Sequence, residues 1–200
     1  ARIRRLLPVC LRDRDGTVRR GNPGRFEVED IVTGVDQIFS GIAIDSVAET
    51  IYWIQQGRSG RSTVFRASLD GDSVVPVFES DDRFARIEVD PTTRKVYVSG
   101  DSGIRRMDFD GDDVDTLVVD SVHDLEIDVL HGNIYYTTPP DRGPGTEIRE
   151  ASLDGGENEL ILFDPRAAPG TVGLALDPVG GKLYWIRWGS RAENNGQVLQ

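Results

Sequence analysis

Apolar and polar residues alternate in short runs along this chain, and clusters of Gly, Pro, Asp and Ser separate the runs. That is the period of half-buried β-strands, and no stretch carries a credible amphipathic helix. Four segments align without gaps: "GIAIDSVAETIYWI", "RIEVDPTTRKVYVS", "DLEIDVLHGNIYYT" and "GLALDPVGGKLYWI". Each places an aspartate seven residues before a tyrosine, giving Asp45 and Tyr52, Asp90 and Tyr97, Asp128 and Tyr135, and Asp177 and Tyr184. The tyrosines are 45, 38 and 49 residues apart. Self-similarity at this period marks a repeat architecture, and about 44 residues is the length of one propeller blade.

Each unit reads as four antiparallel strands. An alternating strand ends in the aspartate, a turn follows, and an aromatic strand such as "TIYWI" or "KLYWI" comes next. After a variable loop, a third strand ("TVFRASL", "GIRRMDF", "EIREASL") closes on Asp-Gly at Asp70-Gly71, Asp110-Gly111 and Asp154-Gly155. Asp-Gly suits the positive φ angles of a tight hairpin. A fourth strand then completes the unit. The expected fold is all-β, a β-propeller of four-stranded antiparallel blades. We expect a partial blade at 1–34, blades at 35–80, 81–121 and 122–164, and a partial blade at 165–200. Residues 17–34 fall in register with 63–80, so the first partial blade is read as a third and fourth strand, with "RIRRLLPVCLR" before it as a candidate second strand. "GQVLQ" reads as the beginning of a third strand. The expectation from these ends is a segment of a longer protein, or a ring completed by further chain.

Composition narrows the function classes. The net charge of −11 and pI near 4.6 repel phosphate backbones and anionic lipid surfaces, which argues against nucleic-acid binding. Of 23 basic residues only Lys95 and Lys182 are lysines. Cys10 is the single cysteine, which excludes an intramolecular disulfide and a cysteine-built metal site. No apolar run reaches the length of a membrane span, so no membrane insertion is expected.

The pattern G-I/L-A-I/L-D, then I/L-Y-W, then R-A-S-L-D-G resembles the low-density-lipoprotein receptor class B repeat, or YWTD repeat. It covers about residues 35–200, with a weaker partial copy before it. Tyr52-Trp53 and Tyr184-Trp185 match the Tyr-Trp pair, Tyr135-Tyr136-Thr137 is a variant of it, and Arg66 and Arg106 match the third-strand arginine. The motif's own aspartate is replaced by Gln55, Gly100, Thr138 and Arg187, and Glu150 and Gln200 stand in place of the arginine. The resemblance implies a six-bladed propeller acting as an extracellular or cell-surface recognition module. It implies a protein or peptide ligand, or neighbouring domains of a larger chain, held by loops and the central groove, and no catalysis.

Two motifs suggest other chemistry. "GDSG" around Ser102 is the tetrapeptide of chymotrypsin-like nucleophiles, but only His123 and His131 exist as bases, and both fall in turn regions of the repeat. "DFDGDD" has the acid density of a calcium loop without its spacing, because the sixth and twelfth positions from Asp108 are Asp113 and Val119. Both read as turns of the repeat. Asp45, Asp90, Asp128 and Asp177 end the innermost strands; they are read as acceptors for turn amides, with a calcium or other metal held among them as the weaker alternative. No cofactor is otherwise expected. Ligand contacts are expected in the variable loops after the aromatic strands: Trp188 and Arg187 in "IRWGSRAENNG", Arg58 in "QQGRSGRS" and Arg142 in "TPPDRGPGT". Competing with the recognition reading are a structural repeat domain of a large surface or filament protein and a metal-dependent lactonase or esterase.

Overall fold

The computed structural model describes residues 16–22, 24, 27–35, 38–57, 59–139, 145–165, 173–187 and 197–199. All regular elements among them are strands, arranged in five antiparallel sheets. Sheet I holds β1 (Gly16–Asn22) and β2 (Glu27–Val35). Sheet II holds β3 (Ile38–Asp45), β4 (Thr50–Gln56), β5 (Ser62–Ser68) and β6 (Val75–Ser80). Sheet III holds β7 (Phe84–Asp90), β8 (Lys95–Gly100), β9 (Gly103–Asp108) and β10 (Asp115–Val118). Sheet IV holds β11 (Asp124–Asp128), β12 (Asn133–Thr138), β13 (Thr146–Ser152) and β14 (Asn158–Asp164). Sheet V holds β15 (Leu174–Asp177), β16 (Lys182–Arg187) and β17 (Gln197–Leu199). Within each sheet the strands neighbour one another in chain order, as up-and-down blades require. The candidate strand "RIRRLLPVCLR" lies outside the described residues.

The repeat register is also the packing register. Tyr52, Tyr97, Tyr135 and Tyr184 sit opposite Ala43, Glu88, Glu126 and Ala175 on the first strand of their sheets. Successive strand residues point to opposite faces, so the residue after each tyrosine faces the other way. Tyr52 packs with Val89, Val96 and Phe109 of sheet III, and Tyr97 packs with Leu125 and Ile134 of sheet IV. Trp53 turns back onto Val18 and Val32 of sheet I, and Tyr136 turns back onto Ile104 and Val118 of sheet III. Tyr135 of sheet IV and Trp185 of sheet V meet in the same cluster. The pairs Tyr52-Trp53 and Tyr135-Tyr136 therefore each seal two seams: the first ring closes the seam ahead and the second ring the seam behind. Four apolar clusters result, one per seam.

A second device repeats along the outer part of the seams. Arg20 Nη1 donates to Leu69 O at 3.1 Å and Asp70 Oδ1 at 2.6 Å. Arg66 donates to Phe109 O at 3.2 Å and also binds Asp110. Arg106 donates to Leu153 O at 2.8 Å and Asp154 Oδ1 at 3.3 Å. The third-strand arginine thus grips the Asp-Gly turn of the next sheet. Its acceptor is the aspartate of that turn, which explains how the sheets are tied although the aromatic motif lacks its own aspartate. In sheet IV Glu150 occupies the arginine position and instead accepts from Asn133 Nδ2 within its own sheet at 2.5 Å.

The glycine of the turn has a steric role beyond its φ. A Cβ on Gly71 would lie 1.9 Å from Ile31 O, and one on Gly111 1.7 Å from Val77 O. These turns rest their backbone directly on the preceding sheet, at φ of 84° and 86°, a combination open only to glycine.

Candidate functional site

The first strands β3, β7, β11 and β15 stand side by side, so the sheets radiate from them like blades around an axis. Their repeated aspartates are consumed locally. Asp45 Oδ1 accepts from Val47 N at 2.8 Å and Ala48 N at 3.0 Å, Asp90 Oδ1 from Thr92 N at 2.8 Å, and Asp177 Oδ1 from Gly180 N at 2.9 Å. Asp128 accepts from His131 N at 3.1 Å, and its other oxygen meets His131 Nδ1 at 2.7 Å. Each carboxylate closes its own turn, as the sequence suggests. Among the described residues, no group of three or more His, Cys, Asp and Glu side chains is placed to hold a metal ion.

A different set of charges gathers at the inner edge of sheets III and IV. Arg86 Nε donates to Asp124 Oδ1 at 2.5 Å, joining the openings of β7 and β11. Asp124 is buried and also accepts from Leu125 N at 3.1 Å and, through Oδ2, from Leu174 N at 2.7 Å, which ties β11 to β15. Two residues further along the same strands come Glu88 and Glu126. The pairs Arg86 and Asp124, and Glu88 and Glu126, occupy one register, but the second pair is carboxyl against carboxyl. Burial pushes the Glu88 carboxyl up to about 8, reinforced by the negative charges of Glu126 and Asp124 and opposed by Arg86. Burial also pushes Glu126 up to about 7, with Asp124 reinforcing and Arg86 opposing. Opposite Arg86 lies Ser99 and opposite Asp124 lies Thr137. Both are 0% exposed, and their hydroxyls have no hydrogen-bond partner among the described residues.

Sequence reasoning passed over Arg86, Glu88, Asp124 and Glu126. The available signal was the position two residues before the repeat aspartate, which is Ala43, Glu88, Glu126 and Ala175 in successive units. Of the expected ligand contacts, Arg58, Arg142 and Trp188 lie outside the described residues. Arg187 is placed at the end of β16, with its backbone paired to Gln197.

The two distracting motifs are both turns. Ser102 lies in the turn between β8 and β9, its amide donating to Asp82 Oδ2 at 3.3 Å, and no hydrogen bond joins it to His123 or His131. In "DFDGDD", Asp108 N donates to Asp112 O at 2.8 Å, Asp108 meets Lys95 Nζ at 2.5 Å, and Asp110 receives Arg66.

Comparison with solved structures identifies the architecture. A chain of the nidogen/laminin complex superposes with a TM-score of 0.75 at 20% sequence identity, covering 93% of this chain and 71% of that one. The chain folds as a β-propeller. Other propellers also superpose: oligogalacturonate lyase in complex with manganese (TM-score 0.68, 13% identity, 90% of this chain and 55% of that one) and TolB from Acinetobacter baumannii (0.62, 12%, 91% and 50%). This chain therefore spans about half the length of those two. No family model matches the sequence. Among the described residues, no helix of this propeller is long and apolar enough to cross a membrane.

Proposed function

We propose that this propeller is a noncatalytic recognition module, extracellular or on a cell surface, that binds a protein or peptide through its loops and central channel. The observation that carries the reading is how the repeated residues are spent. The aspartates cap turns, the aromatic pairs fill the seams, and the arginines grip the next turn. These jobs build a rigid scaffold and leave specificity to what does not repeat. That remainder is the loops after the aromatic strands, to which the sequence assigns Arg58, Arg142 and Trp188, together with Arg187 at the end of β16 and the acids Glu88 and Glu126 on the first strands β7 and β11. A rigid scaffold presenting variable loops is the usual arrangement of a binding surface, and the nidogen/laminin likeness is in keeping with it.

The test is capture of a partner from the extracellular fraction of the source organism, followed by affinity measurements on variants. Trp188→Ala is expected to weaken binding at least tenfold with the melting temperature unchanged, while Ser102→Ala leaves affinity intact. Ester or lactone turnover that depends on an added divalent metal and is lost in a carboxyl variant of the channel would replace this reading with an enzymatic one.

A further inference from the structure

We propose that Asp154-Gly155, in the turn between β13 and β14, is a site of spontaneous backbone isomerisation to isoaspartate, and that this modification loosens the tie between sheets III and IV. The proposal goes beyond the recognition reading and does not depend on it. An aspartate followed by glycine is open to the reaction because the second residue has no side chain to hinder approach of its amide nitrogen to the carboxyl. Gly155 N attacks Cγ of the protonated Asp154 carboxyl. A C–N bond forms, the Cγ–OH bond breaks, and the hydroxyl leaves with the amide proton as water. Water then opens the resulting imide at the former main-chain carbonyl, so the peptide runs through Cβ and Cγ and a free α-carboxylate remains. One water is lost and one regained, and no other reagent is required.

The dipeptide alone does not select this position. Asp15-Gly16, Asp70-Gly71 and Asp110-Gly111 share it, and Asp15 lies outside the described residues. The three described turns differ in how firmly they are held. Each has a bond from the glycine amide back to the third strand, Gly71 N to Ser68 O at 2.9 Å, Gly111 N to Asp108 O at 2.9 Å and Gly155 N to Ser152 O at 3.0 Å. The first two are closed again by Ser68 N to Asp72 O at 3.0 Å and Asp108 N to Asp112 O at 2.8 Å; among the described residues, the turn at Asp154 has no equivalent bond. Turning the peptide plane at Gly71 or Gly111 drives the glycine into backbone, because Ile31 O and Val77 O lie 1.9 Å and 1.7 Å from the position of a Cβ. At Gly155 the nearest atom is Leu117 Cδ2 at 3.3 Å, the end of a flexible side chain, and at Gly156 none of the described residues comes within 4 Å. The carboxyls follow the same order. Arg20 holds Asp70 at 2.6 Å and Arg66 holds Asp110 more closely still, whereas Arg106 reaches Asp154 only at 3.3 Å and the Asp154 side chain is 97% exposed.

The consequence falls on the contact between sheets. Arg106 Nη1 donates to both Leu153 O, at 2.8 Å, and Asp154 Oδ1. Isomerisation adds a methylene to the main chain between Leu153 and Gly155 and moves the carboxylate onto Cα, which displaces both acceptors. Arg106 keeps Asp115 of its own sheet at 2.7 Å, so what is lost is the grip on the next turn.

The test is ageing of the folded chain in mildly acidic buffer, followed by peptide mapping with electron-transfer fragmentation, which separates isoaspartate from aspartate at equal mass. Isoaspartate should accumulate about fivefold or more faster at Asp154 than at Asp70 or Asp110, the factor by which one missing closing bond raises the population of an opened turn. In urea the three rates should converge. Deamidation at Asn195-Gly196 changes the mass and is scored separately. Aged wild type should show a lowered urea midpoint and faster hydrogen exchange in the β13–β14 turn, whereas Asp154→Glu, whose longer side chain disfavours the ring closure, should keep the midpoint of its fresh sample. Equal rates in the folded chain, a fastest rate at Asp70 or Asp110, a rate order that persists in urea, or the same loss of midpoint in aged Asp154→Glu would each overturn the proposal.

Discussion

Replacing Glu88 by glutamine should stabilise the protein, and only at neutral and alkaline pH. The carboxyl is raised from 4.5 to about 8 in the folded chain, and its folded value lies above its unfolded one. Below about pH 4.5 both states hold the proton and the group contributes nothing. As pH climbs from there to about 8, the unfolded chain ionises freely while the folded chain must either keep the proton or bury a charge, so stability is lost across this window. A shift of about 3.5 units at 1.36 kcal/mol each corresponds to roughly 5 kcal/mol. Glu88 is only half-buried, and solvent screens its charge, so the realised effect is about 2–4 kcal/mol. An amide has the same shape and no ionisation. Urea unfolding followed by tryptophan fluorescence, with Trp53 buried in a seam as reporter, should show wild type and Glu88→Gln nearly equal near pH 4.5. The gap should widen to about 2–4 kcal/mol in favour of the variant near pH 8. A gap independent of pH, or a variant less stable at alkaline pH, would refute the burial argument.

The scaffold devices give three further predictions. Arg106→Ala frees Leu153 O and breaks the tie between sheets III and IV, and should cost about 1–3 kcal/mol in the same urea assay. Gly111→Ala places a methyl against Val77 O at a positive φ and should cost about 2–4 kcal/mol, visible as a drop in melting temperature. Trp53→Ala empties the seam between sheets I and II and should cost about 3–5 kcal/mol by calorimetry, with hydrogen exchange accelerating first in β1 and β2.

The architecture was legible because the blade repeats its buried positions at fixed register. The Asp-to-Tyr spacing that aligns the four segments is the spacing that carries the chain from turn cap to seam aromatic, and Asp-Gly marks the turn between third and fourth strands in sheets II, III and IV. What the pattern concealed was contact between units. Arg66 and Asp110 are 44 residues apart, and Arg106 and Asp154 are 48 apart, so neither partner announces the other. Glu88 and Glu126 were hidden for a different reason. In "RIEVD" and "DLEID" they read as the solvent face of an alternating strand, which is correct for an edge exposed to water. An innermost strand has a neighbouring sheet beside it, so Glu88 and Glu126 are half-buried and their charges become expensive. The loop residues Arg58, Arg142 and Trp188 stand outside any periodicity, which is what marked them as candidates and also why no packing rule positions them.

Recognition through the unrepeated parts of the molecule is most directly tested by hydrogen–deuterium exchange of the chain with and without its captured partner. Protection is expected in loops 57–61, 139–145 and 188–196 and along β7 and β11, with the outer strands β6, β10 and β14 unchanged. Protection confined to those outer strands, with the loops and the channel unaffected, would contradict this mode of binding.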